Sequence, residues 1–155
     1  MVLIFLLLCF ASFISCFFVS DTYFTVLSFF AIDFIIFLQV GIHELGHVVG
    51  CLIKRRRVIV VRVCSLSFDS SGMHILHGAD FGGVCHFSRR GRERGFKFIL
   101  ALGIVFSILL AILVVGLYFL FPSKILFLWM NISVFYAISS LIPFENSDIR
   151  KILGS

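Results

Sequence analysis

The sequence predicts an all-α polytopic membrane protein: about four transmembrane helices, with a small β-rich cytoplasmic loop between the second and third. Three observations carry that prediction. Of the 155 residues, 61% are hydrophobic and only 14% charged, against about 25% charged in a soluble domain. Four apolar runs reach or approach the roughly 18–20 residues that a helix needs to cross the hydrocarbon core. Ten of the thirteen basic residues lie in one stretch, residues 54–97. A soluble globular domain is therefore excluded, and two prolines with twelve glycines in no fixed period exclude collagen-like and low-complexity chains. The net charge of +5 does not point to nucleic acid, because the basic residues stand beside apolar runs and mark a membrane face. The five cysteines are an odd number, split between apolar runs and the polar middle, so no disulfide framework is expected. The whole chain, 1–155, reads as a single membrane-embedded domain with no internal repeat.

The expected spans are about 2–19, 30–53, 98–121 and 125–142. The first is closed by Ser20-Asp21-Thr22. It has no basic n-region, and Phe18 stands where a signal cleavage site wants a small residue, so it reads as a span and not a signal. The second lies in an apolar stretch too long to be wholly intramembrane, and it starts near residues 28–34. The third ends at Pro122-Ser123-Lys124 and the fourth at Pro143, because proline lacks the amide donor a continuing helix needs. The intervening loop, 54–97, contains the β-branched segment 58–63 and short apolar stretches at 73–76 and 83–87. Ser70-Ser71-Gly72 and the segment 78–82 separate them, a pattern of two or three short strands resting on the membrane surface. By the positive-inside rule this loop is cytoplasmic. Arg150 and Lys151 fall on the same side, and an even number of spans puts both termini there as well.

The second span holds His43-Glu44-Leu45-Gly46-His47, about two turns before the basic block Lys54-Arg55-Arg56-Arg57. Histidines at i and i+4 are about 40° apart around a helix, so both imidazoles can face one metal ion, and Glu44 can reach a water bound to it. An ionisable residue inside a membrane helix is costly, about 2.5–3.5 kcal/mol on insertion scales, and marks a functional position. Two histidines leave zinc one protein ligand short. Asp148, just beyond the fourth span on the cytoplasmic side, is the favoured third ligand, ahead of Glu145. Gly46 and Gly50 form a small-xxx-small pair that lets a neighbouring helix approach. His74, His77 and His86 with Cys64 and Cys85 match no familiar zinc spacing. Asp33 belongs at the outer interface, and Asn131 is expected to bond between helices.

HELGH in an early span, combined with residues 140–148 (SLIPFENSD) at the end of a later one, resembles the site-2 protease family of intramembrane zinc metalloproteases. That family's second motif is Asn-x-x-Pro followed five residues on by Asp-Gly. Pro143 and Asp148 match it, while Ser140 replaces the Asn and Ile149 the Gly. Residues 101–107 (ALGIVFS) look like the family's small-residue segment without its proline. The resemblance spans roughly residues 35–148. It implies a minimal member without a PDZ domain, with one zinc ion per chain held by His43, His47 and Asp148, Glu44 as the general base, and a transmembrane protein or peptide as substrate, cut near the cytoplasmic face. Two rival expectations are a catalytically inactive relative that binds transmembrane segments, and a small transporter using His43, Glu44 and His47 as a proton relay.

Overall fold

The structure, a computed structural model, describes residues 22–76, 82–88, 95–143 and 147–153, with side chains from residue 31 onward. Helix α1, Thr22–Ile53, is unbroken by proline for its 32 residues. It stops where Arg55 takes a left-handed backbone angle, φ 51°. The Lys54, Arg55 and Arg56 amides turn back to donate to the carbonyls of Gly50, Leu52 and Cys51, which satisfies acceptors that a helix end would otherwise leave open.

Four antiparallel strands follow: β1 (Val58–Val63), β2 (Leu66–Asp69), β3 (Gly72–Ile75) and β4 (Gly83–Phe87), in the order β3-β2-β1-β4. Pairing of Val63 with Leu66 leaves a two-residue turn at Cys64-Ser65, with Cys64 at φ 51°. Asp69 pairs with Gly72 across a second tight turn, and the Asp69 Oδ1 accepts from the Ser71 amide. Gly72 sits at φ 128°, an angle that side chains resist. β4 comes back along the other side of β1, Val61 opposite Cys85, and is an edge strand.

Helix α2, Phe96–Leu120, starts from Gly95 at φ 108° and runs 25 residues. Helix α3, Lys124–Ser140, is capped by the Ser123 hydroxyl, which accepts from the Leu126 amide. A last short helix, α4, covers Asp148–Leu153. A Cβ on Gly46 would lie 2.5 Å from the Leu102 carbonyl oxygen, and one on Gly50 would lie 2.9 Å from the Ile99 Cα. The two glycines thus let α1 and α2 meet backbone to backbone, as their spacing predicts. On the other face of α1, Ile35, Ile36 and Val40 pack with Leu128 and Ile132 of α3 and Val63 of β1.

This architecture overturns the expected all-α, four-span fold. Among the described residues the chain has four helices and a four-stranded antiparallel sheet, and two helical segments, Ala31–Ile53 and Phe96–Leu120, are long and apolar enough to cross a membrane. The expected span at 2–19 lies outside the described residues. The one expected at 125–142 is α3, whose 17 residues reach about 25 Å against a hydrocarbon core of about 30 Å. Counting apolar residues overlooked its ends, where Ser139 and Ser140 turn their hydroxyls back to the carbonyls of Tyr136 and Ala137. Asn131 likewise departs from expectation: its side-chain amide donates to the Phe127 carbonyl of its own helix.

Candidate metal centre

His43, Glu44 and His47 are buried on the face of α1 that meets α2 and α4, at 8%, 4% and 4% exposure. Their ligand atoms lie within 4.8 Å of one another. The imidazole rings stand edge to face, centroids 4.8 Å apart. The first residue of α4 completes the group: Asp148 Oδ2 is 3.0 Å from His43 Nε2 and 2.9 Å from His47 Nε2. Residues 101 and 105 positions apart in sequence thus converge on one oxygen.

Hydrogen accounting shows what that convergence needs. The His47 Nδ1–H donates to the Ile99 carbonyl at 2.9 Å. Ser107 Oγ gives its own hydrogen to the Gly103 carbonyl, so at 2.9 Å it accepts from the His43 Nδ1–H. With both Nδ1 atoms carrying the proton, each neutral ring presents a bare Nε2 lone pair to Asp148. Burial pushes the Asp148 carboxyl up, but its contacts with His43 and His47 outweigh burial and hold it well below the usual carboxylate range. Two lone pairs and an anionic oxygen meeting at about 3 Å require positive charge among them, either protons or a cation. Two imidazoles and a carboxylate are a zinc donor set, and Nδ1 atoms tied to a carbonyl and a hydroxyl are the outer contacts that orient metal-binding histidines. The residues therefore fit a zinc ion.

Glu44 adjoins this triad. Its Oε2 is buried with no hydrogen-bond partner among the described residues, and β4 lies directly over it. A Cβ on Gly83 would strike Glu44 Oε1 and fall 2.6 Å from its Cγ. Both groups open onto a cavity of about 500 Å³ that Tyr136, Ser140 and Lys151 also line. Lys151 Nζ is 3.6 Å from Asp148 Oδ1, the oxygen turned away from the histidines.

The structure thus brings together all four residues singled out in the sequence: His43, Glu44, His47 and Asp148. Glu145 lies outside the described residues. Ser140 lines the cavity, with its hydroxyl spent on the Ala137 carbonyl, and Ile149 lies inside α4. Sequence reasoning missed the Ile99 carbonyl, Ser107, Gly83 and Lys151. A serine in the middle of an otherwise apolar helix was the one available signal, and it pointed to Ser107. His74 is elsewhere, bonded to Ser71 on the β2–β3 hairpin, and His77 is outside the described residues. His43, Glu44 and His47 are close enough to hold a metal ion, and Asp148 joins them through its contacts with both histidines. Compared with protein-family models, curated proteins and solved structures, the chain matches none.

Proposed function

We propose that the chain is an intramembrane zinc endopeptidase that cuts a membrane-anchored protein or peptide near the cytoplasmic face. The observation that carries this reading is the meeting of His43 Nε2, His47 Nε2 and Asp148 Oδ2 beside an unpartnered Glu44 carboxylate oxygen, in a cavity large enough for a peptide segment. Placement in a membrane is supported by two long apolar helices and by what α2 exposes: Ile112, Leu113 and Phe119 are more than half exposed, and each is apolar. The basic residues between α1 and α2 support a cytoplasmic side there. His47 is six residues and His43 ten residues from the end of α1, about 9–15 Å along the helix, which favours a reaction toward that face.

His43, His47 and Asp148 would hold zinc, which when bound polarises a carbonyl and lowers the pKa of a bound water to about 7. Glu44 takes the proton from the attacking water and returns it to the leaving amine. A helical substrate shields its peptide bonds and must unwind before attack. The edge of β4, which the missing Gly83 side chain lets lie against Glu44, offers an extended segment backbone partners beside the site.

Glu44→Gln tests the reading, since it keeps size but cannot carry the proton. Zinc content should match the wild type, while cleavage of a co-expressed membrane reporter falls by about 10² to 10⁴. Cleavage at the wild-type rate would defeat the hydrolytic mechanism.

A further inference from the structure

The end of α1 carries a second cavity, of about 540 Å³, whose lining includes Arg55, Arg56, Arg57, Ser70 and Ser88 and, among the described residues, no carboxylate. Its shape comes from the chain reversal at Arg55, whose left-handed backbone ends the helix and turns three successive arginines around one hollow. Lys54 is drawn the other way, its Nζ over the Phe98 ring at 4.5 Å. The Arg56 guanidinium donates to the Ser88 carbonyl at 3.4 Å, and the Ser88 amide donates to the Arg57 carbonyl, so the strand end is tied across the floor. Arg55 and Arg57 are exposed and form no ion pair among the described residues. Ile59, which lines the hollow, and Leu52 and Ile53 in the last turn of α1 are each more than half exposed.

We propose that this hollow binds the phosphate of an anionic lipid headgroup. Guanidinium forks match phosphate oxygens two at a time, and the serine hydroxyls add neutral donors of the kind a phosphate accepts. Basic residues that only orient a span need neither a hollow nor convergent donors; dispersed charge in water serves that purpose. Ile59 in the lining, with Leu52 and Ile53 exposed in the adjoining turn of α1, offers apolar surface to acyl chains, and the site sits at the end of a helix long enough to span, where headgroups lie. The inference rests on α1 crossing a membrane, part of the function proposed above.

The test uses the purified full chain in nanodiscs of phosphatidylcholine, with and without phosphatidic acid, and counts retained lipid by native mass spectrometry. Phosphatidic acid should be retained over phosphatidylcholine, and Arg55→Gln with Arg57→Gln should weaken retention by about tenfold. The paired Lys variant keeps the charge but loses the forks, so it too should retain less than the wild type. Wild-type retention in the Lys variant would reduce the site to charge alone and overturn the proposal. Displacement of the lipid by millimolar inorganic phosphate would assign the hollow to a free anion and also overturn it. Carbonate extraction of the wild type checks the membrane reading separately: a protein released by carbonate fails at that level, whatever lipid it holds.

Discussion

Among the described residues histidine meets aspartate in two regions, and these differ in nearly everything except chemistry. In the metal centre, His43 and His47 meet Asp148 with side chains 10%, 5% and 15% exposed. On the β2–β3 hairpin, His74 meets Asp69 at 3.5 Å with side chains 49% and 31% exposed. Asp69 is held below its ordinary value by the Ser71 hydroxyl and amide more than by His74. That pair is turn chemistry: six residues of chain suffice to make it, and water screens what charge it carries. The buried contact needs three helices to come together, and its unspent lone pairs cannot turn to solvent. Burial and convergence, not residue type, separate a candidate site from a decorated turn.

The strongest way to break this contrast is to remove a histidine from each region. Elemental analysis of the purified proteins should show zinc falling to background in His43→Ala or His47→Ala and unchanged in His74→Ala; equal losses would erase the distinction. Hydroxyl removal sharpens it. Ser107→Ala takes away the group that accepts from His43 Nδ1, and metal affinity measured by chelator competition should weaken by about 10- to 100-fold. Ser71→Ala should leave that affinity where it is.

Glycines divide the regions too. A methyl on Gly103 would press into the His47 ring, 2.6 Å from Nε2, so Gly103→Ala should cost about 1–3 kcal/mol in detergent unfolding and lower metal content with it. Gly72 has open space but an unfavourable φ of 128°. Gly72→Ala should cost about 1–2 kcal/mol and keep its metal. The smallest effect concerns acid. The folded state depresses the Asp69 pKa, so its contribution to stability is present above the ordinary carboxylate value and disappears as pH falls through the lowered one. The gap in thermal midpoint between wild type and Asp69→Asn should therefore be small at neutral pH and close below about pH 4. A gap that widens in acid would reverse the sign.

Legibility in the sequence followed the range of the interaction. His43, Glu44 and His47 were visible because helical spacing alone puts them together, and Asp148 because it stands just past the fourth apolar run, on the side toward which the histidines lie. Ser107 and the Ile99 carbonyl were hidden, since their roles exist only once α2 lies against Gly46 and Gly50. The strand count failed for a local reason: two or three strands were expected, but β1 and β2 part at Cys64-Ser65, a turn without the usual glycine or asparagine signal. The span count failed because apolar length does not say where a helix stops, and α3 stops short.

X-ray absorption at the zinc edge of the purified protein bears most directly on the proposed centre. It should find about one zinc per chain, with nitrogen and oxygen neighbours at about 2.0–2.2 Å and no sulfur at about 2.3 Å. The absence of sulfur is informative because Cys51 is one helical turn from His47 and Cys85 lines the same cavity. A metal-free protein from zinc-replete cells, or a zinc with thiolate neighbours, would contradict a site built from His43, His47 and Asp148.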